Sequence, residues 1–200
     1  MFPRILETLK RISHIAVWIS GGALMVSAVI VTVDVLLRKF VGWTMSGSDE
    51  VTSYVFAAGT TWAYSYCLLH RSNIRIDAVY NLLPPVARNV LDLLGIFLLL
   101  FYMAVLTDRA VVTLQESIIN YSVSNTTLTT PLWIPQLAWV SGLVMFMFTL
   151  VVVAIYATVS MIRRDYATVT QIAGIMSVEE EIDEEIRGTE ADTGRSAGSG

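Results

Sequence analysis

The chain has 200 residues, of which 54% are apolar and only 15% charged, and its formal net charge is −4. That balance lies outside the range of a soluble domain, identifies a membrane protein, and excludes the basic surface that nucleic acid requires. A single cysteine, Cys67, excludes an internal disulfide and any thiolate cluster for a metal.

A membrane-spanning helix needs about 20 mostly apolar residues, because it crosses roughly 30 Å of hydrocarbon with every backbone polar group bonded internally. Four stretches meet that need. The first runs over about 15–37, "IAVWISGGALMVSAVIVTV" and its continuation, with Asp34 near its far end. Arg4, Lys10 and Arg11 precede it in the manner of a signal peptide, but the apolar run is too long for one and is followed by Arg38 and Lys39. The second spans 51–69 and is free of charge; Ser48 or Asp49 is expected to cap its start. The third covers about 89–107, with Asp92 near its beginning, and is expected to continue past the bilayer through "DRAVVTLQESIINY" before "SVSNTTLTTP" breaks it. The fourth lies within 132–162 and carries Pro135 in its first turn, where a missing N–H costs nothing.

Basic residues near the helix ends are retained in the cytoplasm. With the N-terminus inside, Arg4, Lys10, Arg11, Arg71, Arg75, Arg88, Arg163 and Arg164 lie inside, against Arg38, Lys39 and Arg109 outside. Both termini are therefore expected in the cytoplasm. The inner connection "HRSNIRIDAVYNLLPP" places Ile76, Val79, Tyr80 and Leu83 at helical spacing, which predicts a short amphipathic helix lying in the membrane surface and closed by Pro84 and Pro85. Arg71, Arg75 and Arg88 would anchor it to anionic headgroups of the inner leaflet. The expected fold is thus an all-α integral membrane domain over 1–165. Residues 177–200 form an acidic tail holding eight of the 17 acids, a composition that predicts disorder and is expected to be dispensable for assembly. Its closing Gly/Ser stretch also fits an added remnant.

Chemistry is sparse. His14 and His70 both fall near the inner boundary, which raises a haem or quinone-linked membrane anchor as an alternative. A free-standing small channel or exporter is the other. Asp34 and Asp92 stand one turn from Arg38 and Arg88 respectively, and local i,i+4 pairing is the expected role of each. No catalytic motif is present, so no enzyme is expected. Small residues in "SGGA" at 20–23, at Ala28 and in "AAG" at 57–59 would permit close helix approach.

Three stretches carry a family resemblance: "WTMSGSDEVTSYVF", then Gly59 leading into "HRSNIRIDAVYNLLPP", then "TTPLWIPQLAW". Together they resemble the small membrane subunit, the DctQ-like or Q subunit, of tripartite ATP-independent periplasmic (TRAP) transporters. The departures are Ser72 and Asn73, where the family usually has Gly and His, and Ser53, where an Arg is frequent. The resemblance implies a bacterial inner-membrane subunit that scaffolds a large multi-span subunit and helps receive an extracytoplasmic solute-binding protein. The system would drive sodium-coupled uptake of an organic acid or similar solute. No cofactor is expected on this chain, sodium being bound by the large partner. Asp49, Glu50 and Trp43, in the short outer loop, are the expected contacts for the binding protein.

Overall fold

The computed structural model describes residues 2–70 and 84–163. Four helices account for nearly all of them: α1 (Phe2–Phe40), α2 (Ser48–Leu69), α3 (Pro85–Ile119) and α4 (Trp133–Ile162). The described residues contain no strand, only an isolated bridge between Val123 and Pro131. The surface helix expected over 76–83, Arg71, Arg75 and the acidic tail lie outside the described residues.

Helices α1, α3 and α4 are each long and apolar enough to cross a membrane; α2 is not, by composition. Its 22 residues reach about 33 Å at 1.5 Å per residue, but Ser, Thr and Tyr dilute its hydropathy. At 39 and 35 residues, α1 and α3 exceed the expected first and third spans. The continuation of the third helix to Ile119 is as expected. Pro84 is the N-cap of α3 and Pro85 occupies its first turn, so the double proline opens this helix; whether it also closes the expected surface helix falls outside the described residues. Pro135 lies in the first turn of α4.

The helices pack as an open row in the order α1, α2, α4, α3, with no other pair packed to a comparable extent. Two kinds of interface hold the row. On α1 the buried residues Ser13, Ser20, Ser27 and Asp34 recur every seven positions, with Leu9 one turn before the first and Ala16 between the first two. A seven-residue seam of small side chains brings two helices close at a shallow left-handed angle. Across it α2 presents Gly59, where an added Cβ would lie 3.4 Å from Cβ of Ser20. Between α3 and α4 the seam is apolar: Ile96, Met103, Ala110 and Leu114 meet Val140, Leu143, Phe146, Leu150, Val153, Ala154 and Ala157 in the main core.

The central α2–α4 contact is the tightest. A Cβ on Gly142 would lie 2.5 Å from Cδ1 of Trp62 and 2.8 Å from Cβ of Thr61. That proximity lets Trp62 Nε1 donate to the Ala138 carbonyl at 2.9 Å and Thr61 Oγ1 to the Trp139 carbonyl at 3.2 Å. Thr149 Oγ1 reaches Ser65 Oγ one turn further along, at 3.4 Å. Of the small residues singled out in the sequence, Ser20 and Gly59 sit in a helix interface, whereas Gly21 and Gly22 have nothing within 4 Å of an added Cβ.

Candidate functional site

Residues 34–54 and 117–133 together build one end of the row, where α1 and α3 finish and α2 and α4 begin. Its centre is Asp34, which is 1% exposed. One carboxylate oxygen accepts from Arg38 Nη2 at 2.9 Å and from Ser48 Oγ at 3.0 Å. The other accepts from the Met45 backbone N–H and from Thr44 Oγ1 at 3.3 Å. The i,i+4 pair expected with Arg38 is present, but three further donors come from residues 10 to 14 positions downstream. Asp34 therefore clamps the whole α1–α2 turn. This also changes how α2 starts. Gly47, at φ +94°, is its N-cap without any side-chain cap, and the Ser48 hydroxyl expected to cap the helix is turned to Asp34 instead. An exposed i,i+4 pair would be worth only tenths of a kcal/mol; a buried carboxylate holding several donors is a structural centre.

Glu50 forms the second tie. Tyr54 OH donates to its Oε1 at 2.6 Å, and Thr126 Oγ1 donates to its Oε2. Hydrogen bonding from Thr126, then from Tyr54, holds the Glu50 carboxyl below the ordinary carboxylate range. The segment after α3 is thereby fastened to the start of α2. Backbone bonds from Ser122 to Ser117, from Ser124 to Thr130 and from Leu132 to Ser122 fold that segment into a compact ledge. Leu128 closes the contact: its Cδ2 is 3.0 Å from where a Gly47 Cβ would be. A side chain at 47 would meet both an unfavourable φ and this leucine.

Of the three residues expected to contact a partner, Asp49 and Trp43 are exposed, and Glu50 is engaged with the ledge. The Asp49 backbone carbonyl accepts from Ser53 Oγ at 2.8 Å. Asp108 and Arg109 lie adjacent on α3, both exposed. Thr126, Ser48 and Tyr54 were not legible as site residues. The one available signal was the i,i+4 spacing of Glu50 and Tyr54.

At the opposite end, Arg88 is half-buried near the start of α3, one turn before the buried Asp92. His14 Nε2 accepts from Trp18 Nε1 at 3.0 Å. His70 stacks on Tyr66 with ring centroids 3.9 Å apart, and His14 leans on the same ring at 6.0 Å. The two histidines of neighbouring helices are thus gathered around a tyrosine.

Among the described residues, no group of three or more His, Cys, Asp or Glu is placed to hold a metal ion. No curated protein and no solved structure matches the chain. The sequence profile of one family, described as "Tripartite ATP-independent periplasmic transporters, DctQ component", matches residues 27–164. That stretch takes in the Asp34 clamp, the Glu50 tie and the α2–α4 lock, and the chain belongs to this family of membrane transporter components.

Proposed function

We propose that the chain is the small permease subunit of a TRAP-type secondary transporter in a bacterial inner membrane. All four helices cross the bilayer and both termini are cytoplasmic, a reading that the eight-to-three distribution of basic residues supports. The subunit scaffolds a large multi-span subunit and helps seat an extracytoplasmic solute-binding protein, for sodium-coupled uptake of an organic acid or similar solute. Family membership is the observation that carries this reading. The architecture supports it: a row of helices has two broad faces on which a larger subunit can pack.

The outer end is then the one clamped by Asp34 and Glu50. Trp43 and Asp49 are its exposed contact groups, and Glu50 acts by holding the ledge beside them. Arg71, Arg75 and Arg88 serve as the inner-leaflet anchor.

The test uses the complete three-component system. Removing this subunit should abolish uptake. Asp49→Lys should lower uptake when binding protein is limiting, with recovery as binding protein or salt rises, because rim charges act on encounter. Glu50→Lys should instead lower the thermal stability of the complex. Full uptake by the large subunit and binding protein alone would overturn the reading.

A further inference from the structure

The N-terminal part of α1 carries a polar face that the fold leaves open. At about 100° per residue, Lys10, His14, Trp18 and Arg11 fall in that angular order within an arc of about 100°, centred about 140° round from the line that faces α2. All four are exposed, Trp18 at 72%. Among the described residues neither Lys10 nor Arg11 has an ion-pair partner. Glu7 shares the face but stands a turn further from the apolar span.

The hydrogen bond from Trp18 Nε1 to His14 Nε2, at 3.0 Å, organises this face. It holds the indole along the helix, and it leaves the neutral His14 ring with its proton on Nδ1. That N–H has no acceptor among the described residues. Tyr66 of α2 backs the imidazole at 6.0 Å between ring centroids and is itself stacked on His70. Two cations and an N–H donor thus surround a fixed aromatic plane.

Their spacing matches one half of a bilayer. The apolar span begins at Ile15, which puts Lys10 about 7.5 Å and Arg11 about 6 Å outside it, and Trp18 about 4.5 Å inside, at 1.5 Å per residue. The headgroup layer on each side is about 5–8 Å deep, so the cations stand at phosphate depth and the indole where glycerol meets acyl chain. Further in, Gly21 and Gly22 have nothing within 4 Å of an added Cβ, and an acyl chain can lie against the bare helix there.

We infer that this face binds an anionic phospholipid, its phosphodiester held by Arg11, Lys10 and His14 Nδ1–H and its upper acyl chain laid along Trp18 towards Gly21 and Gly22. The planar fork of Arg takes two phosphate oxygens at once, and Lys adds a point charge. A zwitterionic lipid carries a second cation beside its phosphate, which Lys10 and Arg11 repel. The site requires only that α1 lies in a membrane and is independent of the transport role.

The test reconstitutes the full-length chain into phosphatidylcholine bilayers with increasing fractions of brominated lipid, and reads Trp18 emission as the difference between wild type and Trp18→Phe. Brominated phosphatidylglycerol should half-quench that emission at a mole fraction at least about fivefold below brominated phosphatidylcholine, the factor that one basic residue contributes near the surface. Arg11→Gln should lower this preference about fivefold, and His14→Phe should lower it as well. Arg163→Gln removes one exposed charge at the same end of the row, on α4, and should leave the preference intact. Full preference in Arg11→Gln or His14→Phe would overturn the assignment. Equal losses in Arg11→Gln and Arg163→Gln would reduce it to summed surface charge, which also overturns it. Release of the quenching lipid by inorganic phosphate would overturn lipid as the occupant. Each of these results leaves the proposed function standing, because that reading is decided by uptake.

Discussion

Replacing Gly142 with Ala should destabilise the protein even though alanine is the better helix former. The added methyl would sit 2.5 Å from Cδ1 of Trp62 and 2.8 Å from Cβ of Thr61, whereas carbon atoms ordinarily approach to about 3.5–4.0 Å. Thr61 is β-branched and stiff at χ1. Trp62 is held by the Ala138 carbonyl and by Ser141 Oγ at 3.2 Å. The helices must therefore part by on the order of 1 Å. Overpacking of this kind costs about 1–3 kcal/mol. Stretching the two cross-helix hydrogen bonds adds about 0.6 kcal/mol each, and the helix propensity of alanine returns about 1 kcal/mol. The net is a loss of about 1–3 kcal/mol. Gly21→Ala provides the opposite sign: nothing lies within 4 Å of its Cβ, so it should stabilise by up to about 1 kcal/mol. Both are measurable by unfolding the purified protein in detergent while following tryptophan fluorescence. Thr61→Ala in the Gly142→Ala background should recover at least about 0.5 kcal/mol, the signature of direct contact. If Gly142→Ala behaves like Gly21→Ala, or shows no coupling to position 61, the close approach of α2 and α4 is wrong.

Asp34→Ala should lower the melting temperature far more than Arg38→Ala, with Asp34→Asn between them; equal effects of the two alanine variants would reduce the clamp to a helical ion pair. Glu50→Gln should cost stability at neutral pH. The Glu50 carboxyl is held below its ordinary value of 4.5 in the folded protein, so its contribution is complete above that value and fades as pH falls through the lower folded one. The gap in melting temperature between wild type and Glu50→Gln should accordingly be constant from pH 7 to 5 and close at more acid pH; a gap that widens on acidification contradicts the assignment. Single cysteines at Ser46 and Ser124, in a Cys67→Ser background, should react with an impermeant thiol reagent in intact cells, and cysteines at Ser72 and Ser177 should not. Labelling at 72 from outside would reverse the topology.

The sequence by itself determined the class of protein and the positions of its long helices. Hydrocarbon leaves an unbroken backbone no alternative to helix, so 31 uncharged residues ending at Ile162 and the apolar run after Ile15 suffice to locate α4 and most of α1. Family membership was legible for a related reason, since it rests on the order of local features along the chain. Tertiary structure decided which polar and small residues matter. Ser13, Ser20 and Ser27 are unremarked in a hydropathy average, and only packing against α2 makes them a seam. Asp34 read as the partner of Arg38 because one helical turn is visible in spacing; its bonds to Thr44, Met45 and Ser48 depend on how the chain reverses at Gly47. Glu50 is expected from the sequence as a partner contact, whereas its engagement with Thr126 spans 76 positions. In "SGGA", Ser20 packs against Gly59 while Gly21 and Gly22 stay open, and the tightest helix approach is at Gly142. Composition states that a close approach is permitted, and the direction in which each Cα faces, fixed when α2 settles between α1 and α4, determines where it occurs.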